Sequence, residues 1–355
     1  MAGMALVAGL CAQALGAAAN AATSHPKKAI NLLTYTGKDR AARLKKLANA
    51  EGHLVIYSTT GDGLTGLISA FNLVYPNIKV SYIQGPPATI LGPIETADAA
   101  GQYNWDVVML TQVYELLFRQ IGAIAPFYSP EAKNFTSNQN TNGPNGTVWA
   151  LAQSQLESGI AYNKTLIPNP PKTVNDLLKP EYAGKMAVPN NASTQQMIGS
   201  ILSHFGNKKG LAYLAKLGPS VKLNGTSGTA LVSLVQVGQL GMDLDAQYSF
   251  VAPAIAAGGS PLGFLKILTC ANINQTMISA HAPNLGAALL WADFASSKVG
   301  AQSVRAQNVV PVSVQLKAPV SAGGIFYPAK IKKLTSYKFD QLSNLWQTYL
   351  TQVFR

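Results

Sequence analysis

The stretch His53-Leu-Val-Ile-Tyr-Ser-Thr-Thr-Gly-Asp-Gly63 holds the groups with the clearest chemical potential, because an apolar run stops abruptly at hydroxyls and glycines. Ser58, Thr59 and Thr60, with the backbone amides from Gly61 onward, could hydrogen-bond something small and polar. A second chemistry is written over the first. Gly61, Gly63 and Gly66 match G-x-G-x-x-G, the dinucleotide fingerprint that would make the chain an NAD-dependent oxidoreductase. That fingerprint sets its first glycine close to the strand end and needs an acid at the end of the next strand to hold the ribose hydroxyls. Here Ser58-Thr-Thr60 intervenes and the next strand ends in Gln84-Gly85, in a chain whose 31 glycines make a chance match easy. We therefore expect no nicotinamide, flavin or other cofactor. The plainest alternative is a helix start capped by small residues with no ligand at all.

Other reactive constellations are thin. No G-x-S-x-G elbow occurs, so a serine hydrolase is disfavoured. His25, His53, His204 and His281 show no ligand spacing, and no metal is expected. Glu157, Asp243 and Asp245 could be cleft carboxylates but read as hinge or surface groups. These absences point to a binding protein rather than an enzyme. The net charge of +12 comes from scattered basic residues such as Lys27-Lys28, Lys45-Lys46 and Lys208-Lys209, without interleaved aromatics. That pattern disfavours nucleic acid, yet the excess positive potential would draw a small anion toward a cleft.

The elements that must position these groups follow from periodicity. Behind the strand at 53–58, Leu64, Leu67, Ile68 and Phe71 fall at helical spacing and Val80-Ser-Tyr-Ile83 reads as a second strand, completing a β-loop-α-β unit. A lead-in helix should end at Glu51-Gly52. Further on we expect a helix near 90–100, a buried strand at Trp105–Leu110, a helix from Val113 to Gly122, and a surface loop over 126–146. Short strands are then expected at Val148–Ser154 and Ser158–Asn163. The pattern of strand, polar loop and helix recurs at Lys185–Phe205 and at Val221–Gly238. Leu240–Leu244, Leu262–Thr269 and Ala271–Ser279 look extended, and helices close the chain at 284–296, 299–306 and 339–354.

With 355 residues and 48% hydrophobic content the chain can bury two cores. Met1 to Ala21 is apolar and small, and Ala19-Asn20-Ala21 has the A-x-A form, so residues 1–21 read as a secretory signal cleaved before Ala22. Periplasmic export follows as an expectation. Cleavage would leave Cys270 as the one cysteine, which excludes an intrachain disulfide.

In order and spacing these segments resemble the extracellular solute-binding proteins of bacterial ABC importers, in the group that includes the ferric-ion binders and their relatives for organic anions. The resemblance rests on Asp39–Leu44 with Ala50-Glu-Gly52, Leu54–Ser58, Trp105–Val108 with Gly122–Pro126, Ser158–Asn163 with Pro171-Lys-Thr173, Asp176–Leu178 through Tyr182–Lys185, and Ala282-Pro-Asn284 opening the helix with Leu290 to Phe294. It implies the α/β two-lobed periplasmic-binding fold of type 2, each lobe a mixed sheet flanked by helices, joined by a strand hinge. Residues 22–51 would be a lead-in, 52–155 and 269–355 lobe I, and 156–268 lobe II. Carried onto this sequence, the ligand-binding residues would be Ser58, Thr59, Thr60, Gly61, Thr111, Gln112, Ser158 on the crossover at Gln155 to Ser158, Asn191, Ser193, Thr194, Thr226, Ser227, Gln247 and Tyr248. The resemblance further implies a monomer serving an inner-membrane permease. Ferric-ion binders of the group hold iron with two adjacent tyrosines, whereas Tyr248 stands between Gln247 and Ser249. An organic or phosphorus-containing anion is thus expected, with ferric iron the alternative.

Overall fold

The computed structural model describes residues 32–59, 64–85, 87–135, 139–190, 192–306, 310–311 and 352–354. The expected signal at 1–21, the start of the lead-in, Thr60, Gly61, Gly63, Asn191 and most of the helix expected at 339–354 lie outside the described residues.

Helix α1 (Arg40–Glu51) buries Leu44 and Ala48 and stops at Gly52, whose φ of +66° suits a residue without a side chain. The β-loop-α-β unit follows as β1 (His53–Ser58), α2 (Leu64–Val74) and β2 (Lys79–Gln84). Helix α2 buries Leu64, Leu67, Ile68 and Phe71, the four positions that helical spacing marks. Next come α3 (Pro87–Ala99), β3 (Val107–Thr111), α4 (Glu115–Gln120), β4 (Ile124–Ala125) and β5 (Thr141–Asn142). Both β2 and β3 lie parallel to β1. The two strands expected at 148–154 and 158–163 are one, β6 (Val148–Asn163).

The second half begins with β7 (Met186–Pro189), α5 (Ala192–Phe205), α6 (Asn207–Leu217), β8 (Val221–Asn224), α7 (Gly228–Gln236) and β9 (Met242–Gln247). Helix α8 (Tyr248–Ala256) has no counterpart in the sequence reading, where its unbroken apolar run and Pro253 hide any face. The extended segments at 262–279 join into β10 (Leu262–Ser279), and α9 (Leu285–Ala295), α10 (Lys298–Ala306) and β11 (Val310–Pro311) follow.

Strand order is β2-β1-β3-β10-β6-β9-β7-β8, with β4 on β10 and β5 and β11 on β6. Two parallel trios, β2-β1-β3 and β8-β7-β9, thus flank the long antiparallel pair β6 and β10. Hydrogen bonding runs on between the halves because both long strands serve each of them. The cores nevertheless separate. One set of buried clusters draws on residues 32–152 and 273–304, the other on 160–268. The result is the two-lobed α/β architecture with a mixed sheet in each lobe and a strand hinge.

Two features mark the hinge. The β6–β10 register breaks between Leu265 and Cys270, so the strands are not a simple ladder where they change lobes. Gly159 sits so close to β10 that a Cβ there would lie 2.6 Å from the Leu265 carbonyl oxygen, a distance no side chain tolerates. The chain end departs from the expected division, which gives all of 269–355 to the first lobe. Phe354 is fully buried and belongs to the cluster of the second core.

Candidate interlobe binding site

In the first lobe the carboxyl ends of β1, β2 and β3 come level. Ser58 stands opposite Gln84 on one side and Met109 on the other, and the Thr59 amide donates to the Met109 carbonyl at 3.1 Å. Ser58, expected to face a ligand, is fully buried, because the strand stays between its neighbours to its last residue. Thr59 is half-buried, and the next expected contacts, Thr60 and Gly61, lie outside the described residues. Thr111 ends β3 opposite Asn274 of β10, and the next residue, Gln112, buries an Oε1 with no hydrogen bond among the described residues.

The second lobe contributes helix starts. Ser158 of β6 pairs with Gln247, the residue that opens α8, and Tyr248 forms the first turn of that helix. The Tyr248 ring rests 5.1 Å from that of Phe264, and the Lys266 ammonium stands 5.8 Å above it. Ser227 caps α7 by accepting the Ala230 amide at 3.2 Å, and the Thr226 amide donates to Asn224 Oδ1 at 2.9 Å. Both residues are exposed, so their groups remain within reach of solvent or a solute. Ser193 belongs to the first turn of α5; its side chain and Asn191 lie outside the described residues.

Thr194 departs from expectation. It is fully buried, and its hydroxyl lies against the Pro189 carbonyl and Asp245 Oδ2, so it secures the join of β7 and α5 from within. The acids of β9 are likewise interior and not on the surface. Burial pushes the Asp243 carboxyl well above the usual range, despite an amide from Asp245 at 3.0 Å.

Between the two sets runs a polar stretch of β6, of which the resemblance carries over the crossover at Gln155 to Ser158 but not Gln153 or Ser154. Gln153, Ser154, Gln155, Glu157 and Ser158 are all buried, as are Asn274, Gln275 and Thr276 on the neighbouring strand. Asn274 Nδ2 donates to Ser154 Oγ at 3.3 Å, while its Oδ1 finds no donor among the described residues. Lys266 Nζ stands 2.9 Å from Glu157 Oε1, close enough for an ion pair though outside hydrogen-bond alignment. The signal that could have found these residues is the run itself, since polar side chains inside an extended segment are costly unless something meets them. Chemically, the arrangement of amides, hydroxyls and helix starts suits reversible hydrogen bonding of a small solute; among the described residues no three His, Cys, Asp or Glu side chains converge as a metal cluster would.

Comparison with known proteins gives the class. The family of bacterial extracellular solute-binding proteins matches residues 106–324, well over half of the chain, and the chain belongs to it. Its fold is that of the periplasmic binding proteins of ABC importers, which bind and hand over solutes and are not enzymes. Iron-bound HitA from Pseudomonas aeruginosa superposes with a TM-score of 0.66 at 16% identity, covering 84% of this chain and 99% of that one. AfuA from Actinobacillus pleuropneumoniae, with fructose-6-phosphate bound, gives 0.64 at 19% over 85% and 98%. The spermidine/putrescine-binding PotD from Streptococcus pneumoniae gives 0.64 at 14% over 84% and 98%. No curated protein matches the chain in sequence. Solved structures of this shape thus include an iron-bound protein, a sugar-phosphate complex and a spermidine/putrescine transporter's binding protein, and the shape alone does not select a solute.

Proposed function

We propose that this chain is the periplasmic solute-binding component of an ABC importer, capturing a small organic or phosphorus-containing anion between its lobes and delivering it to an inner-membrane permease. The observation that carries the reading is the array of hydroxyls, amides and helix starts, from Thr59, Thr111 and Gln112 at strand ends on one side and from Ser158 within β6, Thr226, Ser227, Gln247 and Tyr248 on the other. Such groups hold an anion without a full counter-charge. The net charge of +12 adds attraction at longer range. Tyr248, flanked by Gln247 and Ser249, lacks the tyrosine neighbour that ferric-ion binders use. The lobes we infer are 52–155 with the return from 269, and 156–268 with the chain's last residues, and the protein works as a monomer after removal of residues 1–21.

A thermal-shift screen of phosphonates, phosphate esters, sulfonates and carboxylates, with ferric citrate as control, tests the reading. At least one anion class should raise the melting point. Thr60→Ala or Ser193→Ala should weaken its binding by about ten- to a hundredfold, the effect of losing one hydrogen bond to a charged group. A shift with ferric iron alone, abolished by Tyr248→Phe, would replace the anion with iron.

A further inference from the structure

We propose that the solute carries, besides its anionic group, a hydrogen-bond donor, an ammonium or a hydroxyl, that docks on Glu157. The inference rests on the interlobe anion site proposed above and deepens it. Glu157 is 3% exposed, on the segment of β6 that passes from one lobe to the other. Lys266 balances its charge from the Oε1 side, and Oε2 has no hydrogen bond among the described residues. Two residues earlier, on the same face of the strand, Gln155 Nε2 is buried with no acceptor among the described residues.

Taken together, these two atoms are one donor and one acceptor. A simple anion brings acceptors only: it could take the Gln155 N–H but would leave the buried Glu157 oxygen unmet. A solute with a donor on the same skeleton satisfies both kinds. The position fits, because Lys266 links Glu157 to the Tyr248 ring at the first turn of α8. The anionic group would then lie toward the helix starts and the donor toward the crossing strands. An ordered water in place of the donor would satisfy the Glu157 oxygen equally well and predicts no preference among solutes.

Calorimetric titration with matched alkyl, hydroxyalkyl and aminoalkyl phosphonates, and with carboxylates of the same chain lengths, separates these cases. The expected result is that the amino or the hydroxy member binds about tenfold or more tightly than its alkyl counterpart, and which of the two leads identifies the donor. Glu157→Gln should bring that ratio down to about one. Glu157→Asp, which keeps the charge but withdraws the carboxylate by one methylene, should reduce it too and serves if the glutamine variant fails to fold. Equal binding of the alkyl, hydroxy and amino members to the unaltered protein, or a preference that survives Glu157→Gln, would overturn the proposal while leaving the anion site standing. Failure of every anion, with or without a donor, would overturn both.

Discussion

At position 243 burial works against charge. Asp243 is fully enclosed in β9, one carboxylate oxygen takes the Asp245 amide, and the other has no hydrogen bond among the described residues. Its proton is therefore held more tightly in the folded protein than in the unfolded chain, where an aspartate titrates near pH ~3.9. Above that pH the folded state binds more protons than the unfolded one, so this residue's contribution to stability declines as pH rises, until the native carboxyl ionises as well. Asp243→Asn removes the titration while keeping an oxygen for the Asp245 amide. Its urea midpoint should gain on that of the unaltered protein between pH 5 and pH 8. A difference that stays flat with pH would show that Asp243 does not titrate differently on unfolding. Thr194 teaches the same lesson for a neutral group: a hydroxyl at a helix start reads as a ligand contact, yet here it is engaged inside the lobe with Pro189 and Asp245.

Among the elements, α9 shows how a helix start can be secured from elsewhere in the chain. Asn284 stands at its N-cap but makes no side-chain cap, and the free amides of Gly286 and Ala287 point instead at Glu51, at 3.0 and 2.8 Å. A carboxylate there both accepts hydrogen bonds and meets the positive end of the helix. Asp106 completes the junction by accepting from Val55, at the middle of β1, and from the Asn284 amide and side chain. Because Glu51 closes α1 and Gly286 lies against Leu47, cap and packing reinforce one another. Glu51→Ala should cost about 0.5–2 kcal/mol in chemical denaturation. Solute affinity should be nearly unaffected, because the junction lies at the amino end of β3, opposite the strand ends that face the cleft. A fall in affinity without a fall in stability would contradict this assignment.

For the whole molecule, the two cores are connected through β6 and β10, a geometry suited to hinge motion about the strand segments that change lobes. A solute held by both lobes can only favour the closed arrangement to the extent that it touches both. Saturating an anion identified in the screen should therefore reduce the radius of gyration measured by small-angle scattering, and Gly159→Ala, by forcing β6 off β10, should blunt that change. An unchanged radius would mean that the solute is held by one lobe alone. Affinity should also weaken severalfold between low and high salt, since the net +12 acts across distances that a Debye length of about 10 Å at 0.1 M leaves unscreened only in dilute buffer.

How much of this was legible beforehand depends on how local the cause is. The spacing of Leu64, Leu67, Ile68 and Phe71, the apolar run of β1 and the glycine after Glu51 act within a turn or two of chain, so the sequence by itself determined those elements, and their order was enough to suggest a two-lobed solute-binding protein. The union of 148–154 with 158–163 was hidden, because Gln153 to Ser158 looks like loop composition and is held inside a strand here by pairing with β10 and β9, which are distant in sequence. Helix α8 was hidden by an apolar sequence without a polar face. Which hydroxyls stay open and which are consumed, as at Thr226 and Thr194, is a matter of what packs over them. Only the tertiary structure decided that Lys266 meets Glu157 and that Phe354 closes the second core, because side chains distant in sequence interact through space and leave no periodicity in the chain.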